Sequence, residues 1–211
     1  CWTRRRIWEI IAVSEQTTVG VLVVVSGPSG VGKGTVCAAL FRRDPDSVLS
    51  VSATTRPPRP MDVEGKTYHF LTREEFLSRR EQGAFLEWAE VYGNFYGTLR
   101  SEVQRLREQG KNVILEIDTQ GARQIKAAAP DCVSVFILPP SLEELRARIS
   151  GRGTESPEVL ELRLSKAEEE MAQAAHYDYR IVNDDVERAA GELAQIIAEE
   201  RRSRKKEERT C

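Results

Sequence analysis

Histidine, paired cysteine and long apolar runs are all scarce in this chain, and each shortage removes a class of chemistry. Only two histidines occur among 211 residues, His69 and His176. Neither has a second His, a Cys or a carboxylate at metal-ligand spacing, and no serine sits in a nucleophile-elbow pattern around them. A histidine-built metal centre and a Ser–His triad are therefore both disfavoured. The four cysteines are Cys1, Cys37, Cys132 and Cys211, with no C-x-x-C pair. That spacing gives neither a disulfide framework nor a zinc site, so a reducing compartment, the cytoplasm, is expected. Cys37 and Cys132 stand in apolar surroundings and read as core residues. Net charge is small, -2, which leaves no global field for nucleic acid or an anionic membrane. No run of about 18 apolar residues exists to span a bilayer. Internal repeats and low-complexity segments are also missing.

Residues 1–19 are expected to be a flexible extension. Arg4-Arg5-Arg6 precedes the apolar stretch from Ile7 to Val13, but Glu9 interrupts it and no small-x-small cleavage site follows. Residues 200–211 form a charged tail, read as a helix end or a solvated segment; interleaved acidic residues weigh against a nucleic-acid tail.

Between these ends, apolar runs alternate with amphipathic stretches. Gly20 to Val25, Asn112 to Asp118 and Cys132 to Leu138 are continuous runs typical of strands buried on both faces. Val48 to Ser52 and Tyr179 to Val182 read as shorter strands. Helices are expected over 33–43, from the capping box Thr72-x-x-Glu75 to about Glu81, from a Ser101 cap to near Gly110, and after Asp118 to about Ala129. Others run from the box Ser141-x-x-Glu144 to Ile149, over 157–175, and from Asp185 onward. The alternation predicts an α/β fold with a doubly wound, parallel, five-stranded core sheet. The interval 53–97 breaks the rhythm and is expected to be an inserted subdomain. The interval 150–165, rich in arginine, is expected to be a small lid.

Chemistry begins at Ser26-Gly27-Pro28-Ser29-Gly30-Val31-Gly32-Lys33-Gly34-Thr35. A strand, a glycine turn and a helix in that order aim backbone N–H groups at a phosphate, and the helix N-terminus adds partial positive charge. A plain glycine turn needs no lysine after its last glycine. Gly27 to Thr35 therefore reads as a phosphate-binding loop for ATP. Its departure is Gly34, where the general pattern has the Ser or Thr that holds magnesium. Thr35 does not simply replace that hydroxyl, since one residue along a helix turns a side chain by ~100°. Asp118-Thr119-Gln120-Gly121 fits the D-x-x-G element of switch GTPases, but no N-K-x-D element accompanies it.

The insertion opens with Ser52 to Pro60, which places Arg56 and Arg59 in a proline-stiffened loop. Two guanidinium forks suit a phosphate dianion, and the Tyr68 phenol stands nine residues on; a merely exposed basic loop is the competing reading. Next come Glu87-Trp88 and Gly93-Asn94-Phe95-Tyr96-Gly97-Thr98. On its own Glu87 reads as a solvent-facing strand residue. Together with the loop at 27–33, Ile117-Asp118-Thr119-Gln120-Gly121, Arg152-Gly153-Thr154-Glu155 and Val182-Asn183-Asp184, these segments resemble guanylate kinases of the bacterial single-domain type, from about Gly20 to Ala198.

The resemblance implies ATP and GMP as substrates, ADP and GDP as products, magnesium carried mainly on ATP, and a place in purine nucleotide metabolism; dGMP is an expected second acceptor. It implies a P-loop kinase with a GMP-binding insertion and a lid, and no nucleic-acid, membrane or obligatory protein partner. Residue by residue, it implies Lys33, Arg148, Arg152 and Arg163 on the transferring phosphates. Ser52, Arg56, Arg59, Tyr68 and Tyr96 would hold the GMP phosphate, Glu87 and Thr98 would read guanine, and Asp118 would sit near GMP or a magnesium-bound water. Glu116, where the family often has Asp, has no assigned role. The alternative is a related module that binds phosphorylated peptides without catalysis; the retained Lys33 and lid arginines weigh against it.

Overall fold

A computed structural model describes residues 19–150 and 157–208. In chain order the elements are β1 (Leu22–Ser26), α1 (Lys33–Arg43), β2 (Ser47–Leu49), β3 (Ala53–Thr54), β4 (His69–Phe70), α2 (Arg73–Glu81), β5 (Phe85–Val91), β6 (Asn94–Leu99) and α3 (Arg100–Glu108). There follow β7 (Asn112–Glu116), α4 (Thr119–Ala128), β8 (Val133–Leu138), α5 (Leu142–Ser150), α6 (Pro157–Ala172), a 3₁₀ turn (Gln173–His176), β9 (Tyr179–Val182) and α7 (Val186–Glu208).

The main sheet has five strands in the order β2-β7-β1-β8-β9, all parallel. β1 is buried along its whole length because helices cover both faces. Alternate residues serve two cores, as the two-residue period of a strand requires. Val21, Val23 and Val25 pack with Val36, Cys37 and Leu40 of α1 and Ala190, Leu193 and Ile197 of α7. Leu22 and Val24 pack on the other side with Val103, Ala122, Ile125 and Cys132. In such sheets the ligand crevice lies beyond the carboxyl ends of the strands where the winding reverses. Here that point is the end of β1, between β7 and β8.

A second sheet, β4-β3-β6-β5, is built from the segment following β2. Its own core stacks Phe76 of α2 on Phe85 and Phe95, with ring centroids 4.3 and 5.3 Å apart. The Thr72–Glu75 capping box is fully formed: Thr72 Oγ1 accepts from Glu75 N at 3.1 Å, and Glu75 Oε2 accepts from Thr72 N at 2.8 Å.

Several expected boundaries shift. Ser101 is not a cap. β6 runs to Leu99, which pairs with Phe85, and the Arg100 N–H donates to Ala84 O at 2.9 Å, so extended Leu99 takes the cap position and Ser101 falls in the first turn. The box at Ser141 is half made: its Oγ accepts from Glu144 N at 3.1 Å, while the Glu144 carboxylate accepts from Arg148 Nε at 3.0 Å instead of reaching back. β2 stops at Leu49, and Ser52 already belongs to the second sheet's neighbourhood, its carbonyl accepting from His69 N at 2.9 Å. β7 stops at Glu116, so Asp118 is the N-cap of α4 rather than a strand residue. The helix expected to reach residue 175 tightens into a 3₁₀ turn after Ala172. Residues 201–208 continue α7, where Arg204 Nη1 reaches Asp131 Oδ2 at 3.2 Å.

Candidate active site

The loop from Gly27 to Gly32 joins β1 to α1 and depends on glycine at two close approaches. Gly27 has φ +153°, and a Cβ there would lie 2.4 Å from Ile137 O. Gly32 caps α1 at φ +93°, where a Cβ would lie 2.7 Å from Asn183 Nδ2. Lys33, the first helical residue, folds its side chain back over the loop: Nζ donates to Gly27 O at 2.7 Å. Burial pulls the Lys33 ammonium below its ordinary pKa, and the Glu116, Glu170 and Asp118 carboxylates push it back up.

Two of the arginines expected on the phosphates, Arg148 and Arg163, converge on this loop. Arg148 Nη1 donates to Val31 O at 3.3 Å and Nη2 to Asn183 O at 3.1 Å. Arg163 Nη2 donates to Ser29 Oγ at 2.8 Å. Arg152 lies outside the described residues, as do residues 151–156 of the interval expected to form the lid. Asn183, quoted in the sequence only as part of a motif, props the loop: its Nδ2 donates to Val31 O at 2.8 Å, and its Oδ1 is buried without a partner. Thr35 is exposed. The side of α1 where a P-loop hydroxyl would project faces Glu116, since a Cβ on Gly34 would lie 3.4 Å from Glu116 Oε2. Among the described residues, no group of three or more His, Cys, Asp or Glu is gathered to hold a metal. Cys37, one turn beyond Lys33, is buried in the core, and burial pushes its thiol pKa up to about 12, an unreactive state.

In the second sheet, Arg56, Tyr68 and Tyr96 come together. The Arg56 guanidinium lies 5.4 Å from the Tyr68 ring centroid, and the Tyr68 and Tyr96 rings meet edge-on at 5.9 Å. Asp62, which sequence reading passed over, organises this loop. Its Oδ2 accepts from Arg59 N at 2.7 Å and from Arg56 Nη2 at 2.9 Å. An Asp three residues after an arginine in a proline-rich turn was the available signal. The Arg59 side chain is exposed. Ser50, two residues before Ser52, has a buried hydroxyl without a partner.

Glu87 is not the solvent-facing strand residue it reads as on its own; it is 8% exposed. The register slips between Phe85 and Glu87, so Phe85 opposes Leu99 but Glu87 opposes Thr98. This bulge turns the carboxylate onto Thr98, whose Oγ1 donates to Oε1 at 2.7 Å. Burial raises the Glu87 pKa; the Thr98 hydrogen bond opposes the rise and the Asp118 charge adds to it. Asp118 holds the start of α4, its Oδ1 accepting from Gly121 N at 2.8 Å. Gly121 lies against Glu87: a Cβ there would be 3.3 Å from Oε2.

Fold and site define a P-loop kinase: a phosphate loop and lysine at the switch point, arginines upon the loop, and a second sheet bearing basic, phenolic and acidic groups. The guanylate kinase family model matches residues 20–200. The chain belongs to the guanylate kinase family. It is 54% identical over 182 residues to the guanylate kinase of Symbiobacterium thermophilum, covering 86% of each chain. With that of Alkalilimnicola ehrlichii it shares 52% over 189 residues, 90% of this chain and 93% of the relative. The crystal structure of guanylate kinase from Anaplasma phagocytophilum, 40% identical, superposes with a TM-score of 0.67 over 87% of each chain.

Proposed function

We propose that the chain transfers the γ-phosphoryl of ATP to GMP, giving ADP and GDP, with the residues above in the following roles. The loop Gly27 to Thr35 cradles the ATP phosphates by its N–H groups, and Lys33 exchanges the Gly27 carbonyl for a phosphoryl oxygen. Arg148 and Arg163, already on the loop, supply charge to the equatorial oxygens; Arg152 joins them. Arg56, Arg59, Tyr68, Tyr96 and Ser52 hold the GMP phosphate. Phosphoryl transfer asks mainly for in-line positioning and positive charge, which suits a chain with two histidines.

Glu87 carries the assignment of acceptor. Its carboxylate is buried, touched by a hydroxyl and by no cation among the described residues. Guanine N1–H and the 2-amino group would satisfy it; adenine has neither donor there. A site whose buried polar groups lose their partners rejects the analogue by about 10⁴-fold. Asp118 stands beside the same slot.

A divalent cation would supply neutralisation of the phosphate charge. The donors fit one held mainly through ATP: Gly34 offers no hydroxyl, while the Glu116 carboxylate faces the same side of α1. Glu116 and Asp118 would hold waters of magnesium. We place the enzyme in the cytoplasm, where its nucleotides are.

The test is ADP release with ATP, magnesium and, in turn, GMP, dGMP, AMP and UMP. Turnover with GMP and dGMP is expected. No turnover with GMP would leave the phosphopeptide-binding reading; equal use of GMP and AMP would remove Glu87 as the base reader.

A further inference from the structure

The Glu87 carboxylate is aimed by a bulge in an edge strand, and edge strands are where backbone geometry is least constrained. β5 pairs with β6 on one side only. On its open side runs α4, from which the Gln124 side chain hydrogen-bonds the strand's backbone. Gln124 Oε1 accepts from Trp88 N at 3.2 Å, and Gln124 Nε2 donates to Trp88 O at 3.2 Å. The amide thus pairs with Trp88 as a neighbouring strand residue would, immediately after Glu87.

Three further observations tie this clamp to the base-reading slot. Gln124 lies three residues beyond Gly121, on the same face of α4, so one helix face meets both the Glu87 carboxylate and the Trp88 backbone. Leu86, the extra residue of the bulge, turns into the main-sheet core with Ala122 and Ile125 of α4. Gly97 of β6 comes up against the bulge from the other side; a Cβ there would lie 2.9 Å from Glu87 O. Without the extra residue, Leu86 would oppose Thr98 and the carboxylate would point elsewhere, because one step of register reverses a strand's faces.

We propose that Gln124 is a specificity-determining positioning residue: by completing both backbone hydrogen bonds of Trp88, it fixes the bulge that aims Glu87 at the 2-amino and N1–H edge of the acceptor base. It touches no substrate. The inference rests on Glu87 as the guanine reader.

Gln124→Met keeps the length and bulk of the side chain and removes both hydrogen bonds. The readout is kcat and KM for GMP, for IMP (which lacks the 2-amino group) and for ATP, alongside Tm. The expected result is a KM for GMP raised about three- to tenfold, a shrunken preference for GMP over IMP, and unchanged KM for ATP. Gln124→Glu, which keeps the acceptor for Trp88 N–H, should fall between wild type and Gln124→Met, and it stands in should the latter fail to fold. A lowered Tm with an unchanged GMP-to-IMP ratio overturns the inference, as does an equal rise in both KM values. Glu87→Gln run in parallel separates the two failures. If it shifts the GMP-to-IMP ratio and Gln124→Met does not, only the role of Gln124 falls. If it leaves the ratio alone, the reading of Glu87 falls.

Discussion

Glu87→Gln should damage catalysis with GMP while leaving the free protein at least as stable. A carboxylate can accept from both guanine donors, whereas a glutamine offers one oxygen and turns an NH₂ group toward the other. The loss is one hydrogen bond to a charged group, about 1.5–3 kcal/mol. At about 1.4 kcal/mol per factor of ten, kcat/KM for GMP should fall about 10- to 150-fold, and KM for ATP should hold. The stability side runs the other way. Burial raises the Glu87 pKa in the folded protein, so ionising it costs folding free energy. That cost is absent below the unfolded value of about 4.3 and grows as pH rises through the folded value. Glutamine never pays it, and the Thr98 hydroxyl can still donate to its oxygen. Thermal melts between pH 4 and 8 should therefore give a Tm difference, variant minus wild type, near zero at acid pH and positive at neutral pH. A variant less stable than wild type at pH 7, or an unchanged kcat/KM for GMP, would refute this account of the slot.

Lys33→Met should lower kcat by about 10²–10³, the usual loss for one charge-stabilising donor, while GMP still shifts the melting temperature; retained turnover would remove Lys33 from the chemistry. Gly27→Ala forces a side chain against Ile137 O at φ +153°. It should cost at least about 1–3 kcal/mol, seen as a lower Tm and loss of the thermal shift with ATP. Burial pushes the Asp178 carboxyl up, but hydrogen bonds from Lys126 and Ser134 outweigh it and hold the pKa below the ordinary value. Its contribution is therefore present at neutral pH and lost as pH falls through the folded value, so Asp178→Asn should flatten the acid limb of the stability curve. An unaltered acid limb would count against that pairing.

What could be read in the chain beforehand was what is contiguous. The phosphate loop is ten consecutive residues whose strand and helix flank it directly, and α1 spans the expected Lys33–Arg43. The parallel sheet followed from runs such as Val21 to Val25, which have no polar face to offer water. Arg56 and Arg59 stood out because prolines surround them. The environment of Glu87 did not, since alternation along β5 would set it on the face of Phe85 and only the slip opposite Leu99 and Thr98 turns it to the other face, against Thr98. A bulge is set by the partner strand and by α4, and neither leaves a mark beside residue 87. Asp62 and Asn183 were missed for a related reason: each holds a backbone group of a loop, Arg59 N and Val31 O, and every residue has such groups. The start of α3 moved because pairing with Phe85 outcompeted a local serine cap.

The order of strands has a consequence for how this chain is made. Both neighbours of β1 arrive late: Leu22 pairs with Val113, and Val23 with Val133. The second sheet is different, for Trp88 and Gly97 meet across a two-residue hairpin turn. During synthesis the second sheet can begin to assemble while the loop at 27–32 still hangs from an unpaired strand, because local pairings close first and distant ones wait for the chain. A chain cut after residue 110 would hold the second sheet without the α4 that packs on it, and an exposed β1 whose four residues before Ser26 are all apolar. Its lysine would sit on no ordered loop, and its free strand edge would invite aggregation.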